Sequence, residues 1–134
     1  MTAEQCLGLR RRVLRTGTPS TDTRFAEDDW PDTFHLGARD EGGALLAVIT
    51  FVRRGDEAQL RGMATEPSAQ RTGAGRLVFE AGVARLRADG VRALWAKARD
   101  SALGFYERMG MHVEGDGYVT EETGMPHHTV VMDL

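Results

Sequence analysis

Two glycines stand between an extended stretch and a helical stretch of the chain, within residues 70–76, QRTGAGR. Glycine allows left-handed backbone angles and a close approach of the backbone to a ligand. The first amides of the helix that follows have no partners inside the helix and lie at the positive end of its dipole. We therefore expect the N–H groups from Arg71 to Arg76 to converge on an anion such as a pyrophosphate. The alternative is a glycine-rich helix start that binds no ligand.

Two better-known nucleotide-binding loops do not fit this segment. The sequence contains no G-x-x-x-x-G-K-[ST] motif, so a P-loop is excluded. A dinucleotide-binding fingerprint needs a further glycine three residues after Gly75, and Val78 occupies that position. The pattern that remains is Gln70-x-x-Gly73-x-Gly75 followed by a helix.

The composition bounds the class of protein. The chain has 134 residues, 41% hydrophobic and 28% charged, which predicts a single globular domain over residues 1–134. Its net charge of −3 disfavours a nucleic-acid partner, whose binding needs a basic surface. Cys6 is the only cysteine and no zinc-ligand spacing occurs, so we expect neither an internal disulfide nor a metal site. The sequence shows no signal peptide and no apolar run of membrane-spanning length, so we expect a cytoplasmic protein without a membrane partner.

Hydrophobic periodicity and turn residues predict alternating helices and strands. Thr2 and Gln5 have the spacing of a capping box, and Gly17 is placed to end the helix that they begin. The predicted fold class is mixed α/β, with a mainly antiparallel sheet and one helical crossover. The predicted helices cover residues 2–15, 76–90 and 102–109, and the predicted strands cover 34–40, 44–54, 58–65, 92–99, 111–118 and 127–134.

The glycine pattern resembles the acyl-CoA pyrophosphate loop of the GNAT superfamily of N-acetyltransferases. Residues 98–111, ARDSALGFYERMGM, resemble a second segment of that family, in which a strand ends and a short helix begins. The ending ETGMPHHTVVMDL is similar to that of the ElaA-like and YitI-like branch. The resemblance covers residues 34–134 and extends to the first helix. The positions that match in the second segment are Ala102, Phe105, Tyr106 and Gly110.

This resemblance implies the GNAT fold, in which helices flank a mainly antiparallel central sheet. Because the first helix already begins at Thr2, we expect either that the first edge strand of that fold is missing here or that the given start of the chain is late. It also implies an N-acetyltransferase that uses acetyl-CoA as co-substrate. A primary amine of a small molecule or peptide would attack the thioester directly in a ternary complex. The alternative on the same fold is a non-catalytic acyl-CoA-binding sensor or regulatory protein.

The resemblance also assigns residues to the cofactor. Two strands of the family fold separate, and pantetheine lies in the gap; Gly62 is consistent with a bulge there, or with close packing alone. Arg99 departs from the family pattern, which has asparagine at that position, so a side-chain contact with pantetheine is in question. The residues expected to bind acetyl-CoA are Met63, Ala64, Thr65, Gln70, Arg71, Thr72, Gly73, Ala74, Gly75, Arg76, Arg99 and Phe105.

Three residues are candidates for catalysis. By resemblance, Tyr106 would protonate the leaving thiolate; otherwise it is a core aromatic residue beside Phe105. One of His127 and His128 would accept the proton of the attacking amine, or one is a core residue and the other a surface residue. Strand alternation places these two histidines on opposite faces. Weaker candidates for the base are Glu66 and Glu121.

The acceptor side of the site has the least specific sequence signal. In the family, the first helix and the loop after it line the acceptor pocket, and both are highly charged here. The basic cluster could hold an anionic substrate and the acidic cluster a cationic amine, or both could be solvated surface. Exposed sheet edges would also allow a homodimer. The charged residues are Arg10, Arg11, Arg12 and Arg15, then Asp22, Glu27, Asp28, Asp29 and Asp32.

Overall fold

A computed structural model describes residues 1–14, 23–121 and 123–134. Three α-helices and six β-strands alternate along the chain, with three single 3₁₀ turns between them. Among the described residues, no helix is both long enough and apolar enough to cross a membrane. Three residues of the sequence predictions, Arg15, Gly17 and Asp22, lie outside the described residues. The elements are α1 Ala3–Leu14, β1 Thr33–Arg39, β2 Leu45–Arg54, β3 Glu57–Thr65, α2 Ala74–Ala88, β4 Ala93–Arg99, α3 Leu103–Arg108, β5 His112–Val119 and β6 Pro126–Asp133.

The predicted fold class is confirmed. The six strands form one sheet in the order β1-β2-β3-β4-β6-β5. The β3–β4 pair is parallel and the other four pairs are antiparallel. Helix α2 makes the crossover that a parallel pair requires. The structure describes no strand at residues 1–2, ahead of α1.

The ends of the helices follow the local signals in the sequence. The Thr2 N–H donates to Gln5 Oε1 at 2.7 Å, and the Gln5 N–H donates to Thr2 Oγ1 at 3.3 Å, which confirms the capping box. At the C-terminal end of α2, Gly90 has a φ of +81° and follows the C-cap residue Asp89, as a C-terminal glycine should.

The sheet has a core on each face. On one face, α2 and α3 cover a large cluster that includes Phe51, Leu86 and Val130. Gly82 of α2 lies directly on the Phe51 ring, where a larger side chain would collide. On the other face, α1 covers a smaller cluster made by Cys6, Leu9, Val48 and Ala64.

The central parallel pair is short. Strands β3 and β4 are paired only from Glu57 with Ala93 to Leu60 with Ala96, although both strands continue beyond this point. Gly62 follows with a φ of +58°, where the register between β2 and β3 also shifts. The second half of β3 therefore separates from β4 at a glycine bulge, as the resemblance implied.

A buried arginine lies against this bulge. The side chain of Arg10 is completely buried, and a Cβ atom on Gly62 would lie 2.6 Å from Arg10 Nε. Arg10 donates to both carboxylate oxygens of Asp28, at 2.9 and 3.0 Å, and to Thr50 Oγ1 at 2.7 Å. It also donates to the Thr23 carbonyl at 2.9 Å. These contacts join α1, the segment before β1 and strand β2 at one point.

His35 completes the same network from β1. Its Nε2 lies 3.1 Å from the Asp28 carbonyl, which can only accept, so Nε2 carries the proton and Nδ1 accepts from Thr50 Oγ1 at 2.7 Å. Burial would raise the pKa of Asp28, but hydrogen bonds from Arg10 and from the Phe25 amide outweigh it and hold this pKa below its ordinary value.

The suggestion that both charge clusters are solvated surface is therefore wrong for Arg10 and Asp28, and the side chain of Glu27 is only 17% exposed and pairs with Arg61. Arg10 and Asp28 are fully buried against each other, whereas Arg11, Arg12 and Asp29 are exposed. The sequence could not distinguish these residues, because neighbouring residues of the same type differ only in the direction that the fold gives them.

Breaking this pair from one side should be costly. We expect Arg10→Met to lower the free energy of unfolding by about 3–5 kcal/mol, because it leaves the Asp28 carboxylate buried without its partner. The matched change Arg11→Met, at an exposed position of the same helix, should alter it by less than about 0.5 kcal/mol. Equilibrium urea denaturation measures both. Arg10→Met combined with Asp28→Leu should regain much of the loss, and a loss below about 1 kcal/mol for Arg10→Met alone would contradict the role given to the pair.

Candidate active site

A groove of about 650 Å³ runs between the glycine loop, the separated part of β3 and the first turns of α3. Its walls come from three parts of the chain that are distant in sequence, residues 13–14, 63–76 and 99–109. Most residues that the sequence assigned to acetyl-CoA line this groove. They are Met63, Thr65, Gln70, Arg71, Gly73, Gly75, Arg76, Arg99 and Phe105.

Three of the assigned residues do not line the groove. The side chain of Ala64 is buried in the core under α1, so only its backbone can face the gap. Ala74 is the first residue of α2 and is itself buried. The Thr72 N–H donates to the Ala69 carbonyl at 3.2 Å. The expectation that every amide from Arg71 to Arg76 is free for a ligand was therefore wrong at Thr72.

The two glycines of the loop have different roles. Gly73 is the N-cap residue of α2 with a φ of +92°, and no other atom lies within 4 Å of the position of a Cβ. At Gly75, a Cβ would lie 3.1 Å from Met63 Cε and 3.2 Å from Thr65 Oγ1. Gly73 thus provides a left-handed turn beside open space, and Gly75 allows α2 to begin directly against β3.

The groove is strongly basic. Four arginines line it, and none of its described lining residues is acidic. Arg76 forms an ion pair with Glu80, with 2.7 Å between Nε and Oε1. Sequence reasoning missed Arg108, although it lies three residues after Phe105 and hence on the same side of α3. Guanidinium groups beside the free amides of a helix N-terminus suit the phosphates of a nucleotide. The arginines are Arg71, Arg76, Arg99 and Arg108.

A second, smaller cavity of about 150 Å³ adjoins the groove. It lies on the α1 face of the sheet, at the point where β3 and β4 separate. Five residues line both spaces, so the groove and the cavity meet around them: Leu14, Met63, Arg99, Ala102 and Tyr106. Any molecule in the groove would therefore face a molecule in the cavity across these side chains.

Arg99 holds this junction together. It takes the position where the family pattern has asparagine, and its guanidinium donates to the Leu14 carbonyl at the end of α1. A cation at this helix end is favourable, because the last carbonyls of a helix are unpaired and negative. Arg99 thus anchors α1 to the end of β4 while it lines both spaces.

Tyr106 is the buried polar side chain at the junction. It is 7% exposed, and burial raises the pKa of its phenol. The hydroxyl therefore stays protonated at neutral pH. It donates to Met63 Sδ at 3.9 Å, which is a weak acceptor, so its proton can pass to a better one. Phe105, packed edge-on against the Tyr106 ring, helps to fix its position.

The structure separates the two histidine candidates. His127 lines the smaller cavity, whereas His128 lines neither space and pairs with Asp100, with 2.6 Å between Nδ1 and Oδ1. His127 Nδ1 lies 2.8 Å from the Met125 carbonyl. Since a carbonyl can only accept, Nδ1 carries the proton, and Nε2 of the neutral ring is the basic nitrogen. No described residue forms a hydrogen bond with that Nε2.

The weaker candidates for the base lie elsewhere. Glu66 accepts from Arg12 at 2.7 Å, and neither Glu66 nor Glu121 lines the smaller cavity. Sequence reasoning also missed several polar residues that do line it, among them Gln59, Arg61 and Lys97. Alternation along β4 places Lys97 and Arg99 on one face, but no pattern in the sequence indicates that this face lines a cavity.

The chain is similar to proteins of a known family. A sequence model of the acetyltransferase (GNAT) family matches residues 7–111. The Bacillus subtilis (strain 168) protein described as an uncharacterized N-acetyltransferase, YitI, is 26% identical over 138 residues, which cover 98% of this chain and 91% of that protein.

Solved structures share the fold. Escherichia coli ElaA superposes with a TM-score of 0.81 at 15% identity, over 98% of this chain and 91% of that chain. An aminoglycoside 6'-N-acetyltransferase complexed with coenzyme A superposes with a TM-score of 0.78 at 13% identity, over 97% and 89% of the two chains.

Proposed function

The chain belongs to the GNAT family of acetyltransferases, and we propose that it transfers the acetyl group of acetyl-CoA to a primary amine of a small molecule or peptide. The observation that carries this proposal is the position of Tyr106, which lines both the basic groove and the smaller cavity. In the proposal, the groove binds acetyl-CoA and the cavity binds the amine. The transfer then takes place between them, in a ternary complex.

The groove fits the chemistry of coenzyme A. Its arginines and the free amides at the start of α2 would hold the phosphates, and acetyl-CoA would supply the acetyl group as a thioester. The coenzyme A complex of the aminoglycoside 6'-N-acetyltransferase, which has the same fold, supports this assignment. Beyond Leu60, the β4-facing backbone edge of β3 has no strand partner, so Met63, Ala64 and Thr65 could pair with the pantetheine arm.

Tyr106 would donate one proton in the reaction, and His127 would accept another. The leaving sulfur needs a proton, and the buried phenol of Tyr106 is protonated at neutral pH. The attacking amine must lose a proton, and Nε2 of His127 is the basic nitrogen of a side chain that lines the cavity. A backbone N–H near Met63 would stabilise the negative charge on the carbonyl oxygen.

Binding of CoA at the glycine loop can be tested with a matched pair of glycine variants. Gly73→Val should weaken CoA binding at least tenfold in isothermal titration calorimetry, because the side chain would occupy space beside the free amides. Gly90→Val is the control, since Gly90 also has a positive φ and open surroundings but lies at the far end of α2. If both variants bind CoA as the wild type does, the phosphates bind elsewhere.

The role of Tyr106 can be tested by removal of its hydroxyl alone. Tyr106→Phe keeps the packed ring, so we expect kcat to fall on the order of 10²-fold with little change in CoA affinity. Release of CoA thiol during turnover of a panel of primary amines measures the rate. A thioester with a more acidic leaving thiol should be less sensitive to the change, since it needs less help from a proton donor. Wild-type kcat in the variant, with chemistry limiting, would exclude Tyr106 as the acid.

The role of His127 can be tested against its neighbour. His127→Asn retains a side-chain N–H for the Met125 carbonyl but removes the basic nitrogen, so kcat should fall on the order of 10²-fold. The part of the rate–pH profile that comes from protonation of the base should disappear, and added imidazole should restore activity. His128→Asn, on the other face of β6, should keep that part of the profile. An unchanged profile in His127→Asn would leave His127 a structural role.

A further inference from the structure

Lys97 is the only lysine in the sequence, and it lies in the wall of the smaller cavity. Arginine supplies the rest of the 17 basic residues. Within the part of the chain that the structure describes, the Lys97 ammonium forms no ion pair and no hydrogen bond. Lys97 is an exposed residue of β4 and its flexible cation has no described partner, so it is available to a molecule in the cavity.

Gln59 is a second polar side chain without a partner in this cavity. It is 8% exposed, and its amide makes no hydrogen bond to any described residue. Its amide atoms are not among the fully buried side-chain atoms that lack a partner in the described residues, which belong to Arg10 and Thr33, so the amide is open to the cavity. Because Gln59 lines the same cavity as Lys97, its amide is available to form hydrogen bonds with a bound molecule.

The remaining charges of the cavity leave it positive. Arg61 also lines it, but Glu27 compensates that charge at 2.8 Å. None of the described lining residues is itself acidic. The charge of Lys97 is therefore left without an opposite charge in the cavity wall, a setting that attracts an anion and repels a second cation.

The strand register relates this anion site to the proposed base. Arg99 of β4 pairs with His127 of β6. Lys97 pairs with Thr129, which is the next residue after His127 on the same face of β6. Same-face neighbours on a strand are roughly 7 Å apart. A molecule whose amine reaches the level of His127 could therefore place a group a few bonds away beside Lys97.

We propose that the amine acceptor is a small molecule with a carboxylate or phosphate group, and that Lys97 and Gln59 bind this anionic group. The proposal rests on the acetyl transfer proposed above and adds the chemical class of its acceptor. A small cavity favours a small acceptor, since sites for drug-sized ligands reach roughly 300–1,000 Å³. Lys97 and Gln59 are specificity-determining residues here, distinct from the pair that moves protons.

Matched amines test the preference for an anion. With acetyl-CoA saturating, kcat/KM is measured for 3-aminopropionate against 3-aminopropanamide, and for 2-aminoethyl phosphate against 2-aminoethanol, each expressed per unprotonated amine. We expect at least one anionic member to exceed its neutral partner at least tenfold, and 1,3-diaminopropane to be the poorest acceptor. The two pairs distinguish a carboxylate from a phosphate. Equal rates for both members of both pairs would overturn the proposal.

Variants test whether Lys97 and Gln59 cause the preference. Lys97→Met removes the charge from a side chain of similar length, so the ratio of anionic to neutral kcat/KM should fall about 10–100-fold, mainly through KM. Lys97→Arg should keep most of the ratio, and Gln59→Glu should lower it by repelling the anion. Arg87→Met removes one exposed charge from α2, away from the cavity, and should leave the ratio unchanged. A ratio that survives Lys97→Met would overturn the assignment.

A labelling experiment tests the anion site without turnover. Because Lys97 carries the only side-chain amine, acetylation by an N-hydroxysuccinimide ester can be followed at this single residue by mass spectrometry, with the N-terminal amine as internal control. In CoA-loaded protein, 3-hydroxypropionate or 2-hydroxyethyl phosphate should slow labelling of Lys97 severalfold, whereas 1,3-propanediol should not. Protection without turnover of any amine would contradict acetyl transfer but retain the anion site. Absence of protection by both anions would overturn the anion site, whatever the enzyme turns over.

Discussion

The buried contact between Arg10 and Asp28 fixes the geometry on which the rest of the site depends. It joins α1, the segment before β1 and strand β2, and the guanidinium lies where any side chain on residue 62 would have to go. Burial of two charges is expensive, so the pair contributes little net free energy compared with an apolar core. Its effect is geometric, because two-point hydrogen bonding and the Thr50 contact allow α1 only one position on the sheet.

That position determines where ligands can lie. The bulge at Gly62 turns β3 away from β4, and the resulting gap holds Met63 beside Tyr106. Gly75 allows α2 to begin against the same part of β3, which brings the free amides of the helix to the mouth of the gap. One backbone irregularity thus opens the sheet, and one missing side chain places a basic groove beside the opening.

Sequence signals predicted the fold well, but they indicated residues on only one side of the candidate site. Capping at Thr2, the apolar period of α2 and the glycine after it are local patterns, so they predict elements reliably. The glycine loop and Tyr106 belong to motifs with fixed spacing. The acceptor side has no such motif, since the inward direction of Arg10 rather than Arg11, or of His127 rather than His128, depends on packing between distant elements. The same limit applies to Lys97, whose surroundings come from three strands and the segments between them.

The short parallel pair at the centre of the sheet makes this domain two halves with a narrow seam. Strands β1 to β3 form one antiparallel unit and β4 to β6 form another, joined directly by four register pairs between Glu57–Leu60 and Ala93–Ala96. The first unit can close through hairpins between neighbouring strands, whereas the seam must wait for the chain to pass through α2 and the β4–β6 pairing must wait for α3 and β5. Both are non-local pairings, the kind that slows folding. The site lies where the seam stops. A ligand in the gap would continue the contact between the two halves beyond the end of the seam. Its binding would therefore stabilise the two halves against separation.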